Sequence, residues 1–128
     1  MAGQTVEQYL RQKITENPGA VLAANGQCFL FRGPPNLHGY CRINYRDPLS
    51  GQVKTVTAHR AAWIAYFGVN SVGPALEVSH RCHNKTCVRI DHLSLEPSQV
   101  NHDRRHCVEC HVCFGHGHYP QCLLDLKL

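Results

Sequence analysis

Hydrophobic positions recur along the chain with two different periods, and together they outline a mixed α+β fold. Between Thr5 and Asn17, Val6, Leu10 and Ile14 return at about one helical turn. Thr5 with Gln8 three residues later has the form of a capping box, so the segment predicts a helix that Pro18-Gly19 ends. Cys28-Phe29-Leu30-Phe31 predicts a short strand closed by Gly33-Pro34-Pro35. From Tyr40 to Arg46 the alternation is strict, with Cys41, Ile43 and Tyr45 on one face and Arg42, Asn44 and Arg46 on the other. Asp47-Pro48-Leu49-Ser50-Gly51 supplies turn chemistry, and the β-branched run Val53 to Thr57 predicts the returning strand of a hairpin. Ala58 to Phe67 predicts a helix stopped by Gly68, its buried side made of Ala61, Ala62, Ala65 and the aromatic residues. Further on, Leu93-Ser94-Leu95 is strand-like and Pro97 to His106 is helical. No internal repeat or low-complexity segment interrupts this order.

Composition changes the picture in one respect. A chain of 128 residues predicts a single domain, and with seven prolines and ten glycines it has little room for a large core. Eight cysteines and ten histidines supply the means for staples instead. The N-terminal stretch MAGQTVEQYLRQKITENPGA is polar, with no apolar core of a signal peptide, and no run approaches the roughly 18 apolar residues of a membrane span. These features predict an intracellular, reducing setting in which the cysteines hold metal rather than form disulfides, and zinc is the metal that Cys/His mixtures suit best.

The densest chemistry lies in Ser79-His80-Arg81-Cys82-His83-Asn84-Lys85-Thr86-Cys87-Val88-Arg89-Ile90-Asp91-His92-Leu93, followed by Asn101. Cys82, Cys87 and His92 recur every five residues, a spacing for a loop wrapped around a metal rather than for one helix face. Tetrahedral zinc needs a fourth ligand. Cys41, on the inward face of its strand, is the expected one; Cys28, further up the chain, is expected to be a buried apolar thiol. Buried free cysteines are the bland alternative, but three correctly typed ligands within eleven residues seldom arise by accident.

The stretch SHRCHNKTCVRIDHLSLEPSQVN is similar to the core of the His-Cys box homing endonucleases, a branch of the ββα-metal (His-Me finger) nucleases. The shared pattern is His-x-Cys-x₄-Cys-x₄-His-Leu, then Asn nine residues after the second histidine, and it covers residues 79 to 106 closely. His59-Arg60-Ala61-Ala62-Trp63 also resembles the helix that precedes the core in related HNH nucleases.

The resemblance implies a small zinc-stabilised α+β fold with a ββα-metal active site, in one domain spanning 1–128. Residues 1–68 would carry the N-terminal helix, a DNA-reading sheet and a helix, 79–106 the ββα-metal core with the first zinc loop, and 107–122 a second zinc loop. It implies Mg²⁺-dependent hydrolysis of DNA phosphodiesters to 5′-phosphate and 3′-hydroxyl ends. His80 would be the general base and Asn101 the ligand of one Mg²⁺, chemistry that suits a near-neutral imidazole and a hard cation. A net-negative zinc cluster beside His80 favours the protonated ring and predicts a pH inflection above its usual value of about 6.5.

The family's second site is Cys₃His, which implies Cys107, Cys113, either His116 or His118, and Cys122, with Cys110 as a substitute for Cys113. Two such structural zinc sites carry −1 each, so the formal charge of +4 becomes +4 − 2 = +2. Bulk charge is therefore a weak argument for nucleic acid, and the placement of basic residues has to carry it. Arg42, Asn44 and Arg46 on one strand face suit the edges of guanine and adenine in a major groove, against the bland reading of a solvated face. Arg81, Arg89, Arg104 and Arg105 suit phosphates. The family also sets an upstream arginine on the scissile phosphate, for which Lys54 and Arg60 both qualify. Homing members act as homodimers on double-stranded DNA, nuclear in a eukaryotic host. With only six residues after Cys122, both a dimer and a nicking monomer stay open. A zinc-stabilised DNA-binding module without catalysis is the alternative function.

Overall fold

The computed structural model of the chain describes residues 5–15, 21–22, 28–33 and 35–124. Helix α1 spans Val6–Thr15, and its start is the predicted capping box: Thr5 N–H donates to Gln8 Oε1 at 3.0 Å, and Gln8 N–H to Thr5 Oγ1 at 3.1 Å. The predicted stop at Pro18-Gly19 lies outside the described residues. Leu10 and Ile14 are buried against α2, Ala58–Phe67, whose small residues Ala61, Ala62 and Ala65 let the two helices approach closely. Gly68 ends α2 with φ +97°, a conformation that a side chain would strain. None of the described helices is long and apolar enough to cross a membrane.

Three two-stranded antiparallel sheets complete the described residues. Strands β1, Val21–Leu22, and β2, Phe29–Leu30, form the smallest. The predicted hairpin is β3, Arg42–Arg46, with β4, Val53–Thr57, in the register Arg42 opposite Thr57 and Arg46 opposite Val53. Its turn is closed by Asp47, whose Oδ1 accepts from Leu49 N–H and whose carbonyl accepts from Gly51 N–H. Arg42, Asn44 and Arg46 are exposed together, while Ile43 and Val56 enter the core.

The last sheet pairs β5, Leu76–His80, with β6, Leu93–Pro97, and runs directly into α3, Ser98–Cys110. This β-β-α unit has the whole Cys82–His92 loop between its strands. Helix α3 runs four residues beyond the predicted end at His106, and His111 closes it in a left-handed conformation at φ +58°. The extension delivers Cys107 to the second Cys/His cluster. A buried ion pair braces strand to helix: Arg104 Nε to Glu96 Oε2 at 2.7 Å and Nη2 to Oε1 at 2.7 Å, with exposures of 1% and 0%. The small zinc-stabilised α+β architecture expected from the sequence is the one observed.

Candidate active site and metal centres

Two tetrads of ligand atoms form without any rearrangement of the chain. In the first, Cys28, Cys82, Cys87 and His92 are all buried, and their ligand atoms lie within 4.8 Å of one another. Cys28 Sγ and Cys87 Sγ stand 3.5 and 3.6 Å from His92 Nδ1. In the second, His116 Nε2 stands 3.5, 3.4 and 3.5 Å from the sulfurs of Cys107, Cys113 and Cys122. A tetrahedral zinc with bonds of about 2.3 Å to sulfur and 2.0 Å to nitrogen requires S···N separations of about 3.5 Å. The donors are thus spaced for a zinc ion and not merely packed together. Burial pushes the Cys28 thiol up to about 11, whereas the Cys82 thiol, donating to Cys87, pulls Cys87 down to about 5. Three such sulfurs become thiolates together only against a cation. Two Cys₃His sites therefore fit two structural zinc ions.

The first tetrad corrects one expectation. Cys41 is inward-facing and buried, as predicted, but inward there means the apolar core. Its thiol donates to the carbonyls of Phe31 and Gly33, at 3.6 and 3.5 Å. Cys28 takes the fourth position because the β2 segment is laced across the zinc loop: Val88 N–H donates to Phe29 O at 2.7 Å, and Phe31 N–H to Thr86 O at 2.8 Å. That long-range pairing leaves no trace in residue spacing. In the second tetrad the alternatives resolve to Cys113 and His116; Cys110 and His118 are exposed and outside it. Arg104 also donates to Cys122 Sγ at 3.3 Å, so it is part of this centre's support and not a phosphate contact as predicted.

Between these centres and α2 lies a cleft of about 800 Å³, lined among others by His59, Arg60, His80, Asn101 and Arg105. It brings together the two residues singled out for catalysis, His80 from the end of β5 and Asn101 from the first turns of α3. The N-terminal turns of α2 and α3 both contribute to the wall, through His59 and Arg60 and through Ser98 and Gln99, and such helix ends favour phosphate. His80 is nearly buried, and its Nε2 lies 3.1 Å from the carbonyl oxygen of Cys87. A carbonyl only accepts, so Nε2 carries the proton and Nδ1 is the basic nitrogen. A ligand residue of the first tetrad thereby orients His80.

Burial, then the neighbouring His59 ring with centroids 4.1 Å apart, holds His80 well below the usual imidazole range. The expected upward shift came from the zinc cluster's net charge, whereas the cause at work here is desolvation, which disfavours the protonated ring. The basic candidates separate as well. Arg60 lines the cleft, with Nη1 donating to Leu76 O at 3.1 Å, whereas Lys54 is paired with Asp47 at 3.0 Å and lies off it. Arg81 clips the two zinc loops together, donating to Gln121 O and Asp91 O, and Arg89 pairs with Asp91. His83 is half-buried and lines the cleft, while His102 is exposed at its edge.

The family model describing the zinc-binding loop region of homing endonuclease matches residues 34–127, most of the chain. The chain belongs to this family. No curated protein and no solved structure matches it. Membership in the His-Cys box homing endonuclease family accounts for the pairing of a β-β-α unit with two Cys/His centres. The match begins after Cys28, so the N-terminal segment that completes the first centre lies outside the matched region.

Proposed function

We propose that the protein is a Mg²⁺-dependent DNA endonuclease that hydrolyses phosphodiesters to 5′-phosphate and 3′-hydroxyl ends, with His80 as general base. The observation that carries this reading is that His80 and Asn101 line one cleft, His80 already in the tautomer that exposes a basic Nδ1. Nδ1 takes a proton from the attacking water, and Nε2–H stays on the Cys87 carbonyl throughout. Held below its ordinary range, the ring is neutral at physiological pH and ready to act as a base. Asn101, whose amide oxygen is the donor type a hard cation prefers, is the residue that would hold Mg²⁺. When bound, the cation offsets charge on the scissile phosphate and on the departing 3′ oxygen.

Arg60, in the cleft beside the N-terminus of α2, is better placed than Lys54 to meet that phosphate, and Arg105 lies on the same wall. Sequence would be read on duplex DNA by the exposed row Arg42, Asn44 and Arg46. The test is cleavage of a supercoiled plasmid with Mg²⁺ and with EDTA. Mg²⁺-dependent nicking or linearisation supports the nuclease. Tight DNA binding with no cleavage in Mg²⁺ or Mn²⁺ replaces it with the non-catalytic DNA-binding module.

A further inference from the structure

Helix α3 carries two histidines that neither zinc tetrad uses. His102 and His106 stand four positions apart, about one helical turn, so they project from one face. Their rings meet edge to face, with centroids 6.1 Å apart and planes inclined at 84°. Both are exposed, so packing gives them no task. Imidazoles at this spacing on a helix converge on one cation by rotation about their side-chain bonds, with the backbone left where it is.

Glu109 gives the pair a direction. Its Oε2 lies 3.7 Å from His106 Nδ1, between side chains that are 71% and 69% exposed, so burial does not force the contact. A carboxylate beside one ring nitrogen is the usual outer partner of a metal-bound histidine: it favours the Nδ1–H tautomer and leaves Nε2 bare as the ligand. Asn101, one position before His102, is turned about 100° away around the helix. The pair is therefore distinct from the residue that would hold Mg²⁺, although His102 lies at the edge of the same cleft. Two imidazoles select zinc, copper or nickel over Mg²⁺ and Ca²⁺, which prefer oxygen. Among the described residues, no third ligand atom gathers with them as in the two tetrads, so water completes the coordination.

We propose that His102 and His106 form a third metal site, an exchangeable one for Zn²⁺ or a similar transition-metal ion at the rim of the cleft, with Glu109 orienting His106. An exposed ion with two protein ligands exchanges with solution, unlike the ions of the two Cys₃His centres. The site stands whether or not the protein cuts DNA.

The test uses the full chain already carrying its two structural zinc ions. Calorimetric titration with Zn²⁺ should add one further ion per chain, and millimolar Mg²⁺ should not displace it. His102→Ala and His106→Ala should each abolish this binding while both structural ions and the Tm are kept, since neither side chain is buried. Glu109→Gln should weaken it about tenfold. Cys110→Ser and His111→Asn, which alter the exposed groups at the end of the same helix, should leave it unchanged. No further ion in the wild type, or one that persists in His102→Ala or His106→Ala, overturns the proposal. Loss of the ion in Cys110→Ser or His111→Asn moves the ligands to the end of α3 and overturns it too. Displacement by Mg²⁺ rules out an imidazole ligand set, and wild-type affinity in Glu109→Gln overturns the role given to Glu109.

Discussion

At the scale of single residues, the cleft asks most of His80. Removing it leaves both zinc tetrads intact, because it ligates neither. His80→Ala should therefore keep its zinc content and DNA affinity while plasmid cleavage falls about 10²–10⁴-fold, the usual worth of a positioned general base. Asn101→Ala should fall at least as far and respond more steeply to Mg²⁺ concentration. The pH profile distinguishes two opposing influences on the ring. Its folded-state value is lowered by burial and by His59, so the neutral, active form persists to lower pH than in free imidazole. The cleavage rate should thus rise with pH and level off below about 6.5; an inflection above that value would mean that the zinc cluster's charge dominates after all.

Single elements depend on pairs that span them. Glu96 on β6 and Arg104 on α3 are both fully buried, so neutralising one strands the other's charge. Glu96→Gln should cost about 3–5 kcal/mol in chemical denaturation, far more than an exposed pair. Burial alone would raise the Glu96 carboxyl, but the Arg104 guanidinium outweighs it and holds the carboxyl below its ordinary value. The folded pKa is then the lower one. The pair's contribution is complete above the unfolded value of about 4.3 and drains away as pH falls through the folded value. The β3–β4 hairpin makes a different demand, because its exposed row does no packing. Arg42→Ala with Arg46→Ala should leave the fold and plasmid nicking in place while sequence preference weakens, each lost base contact costing about 1–3 kcal/mol. Full site preference in the double variant would move the reading surface elsewhere.

The molecule as a whole is held by its two metal centres, which tie distant segments together. The first joins the β2 segment to the loop between β5 and β6; the second joins the end of α3 to the residues around Cys122. Arg81 bridges them, and Leu123 N–H donates to Arg81 O at 2.8 Å. Native mass spectrometry should find two zinc ions per chain, and strong chelation should unfold it, since a structural zinc supplies about 10 kcal/mol or more. Cys28→Ser should retain one zinc and Cys41→Ser two, the opposite of what strand alternation predicts. Two zincs in Cys28→Ser would restore Cys41 as the fourth ligand.

Much of this was legible in the order of residues, where the physics is local. The capping box of α1, the β3–β4 hairpin and the limits of α2 follow from neighbours a few positions apart, as does the placing of Cys82, Cys87 and His92 in one loop. Strand alternation likewise said that Cys41 points inward. It could not say that inward meant apolar core, because the fourth zinc ligand is chosen by which backbone pairs with the loop, through Val88 and Phe29 nearly sixty positions apart. The same limit hid Arg104, basic in sequence but neutralised by Glu96 across a strand–helix junction. It hid His59 as well, whose ring meets His80 only when α2 packs on β5. Residue type and spacing specify which ligands and acids a chain owns. Which of them face one another is decided by burial, since desolvation acts only once tertiary packing has removed water from both partners.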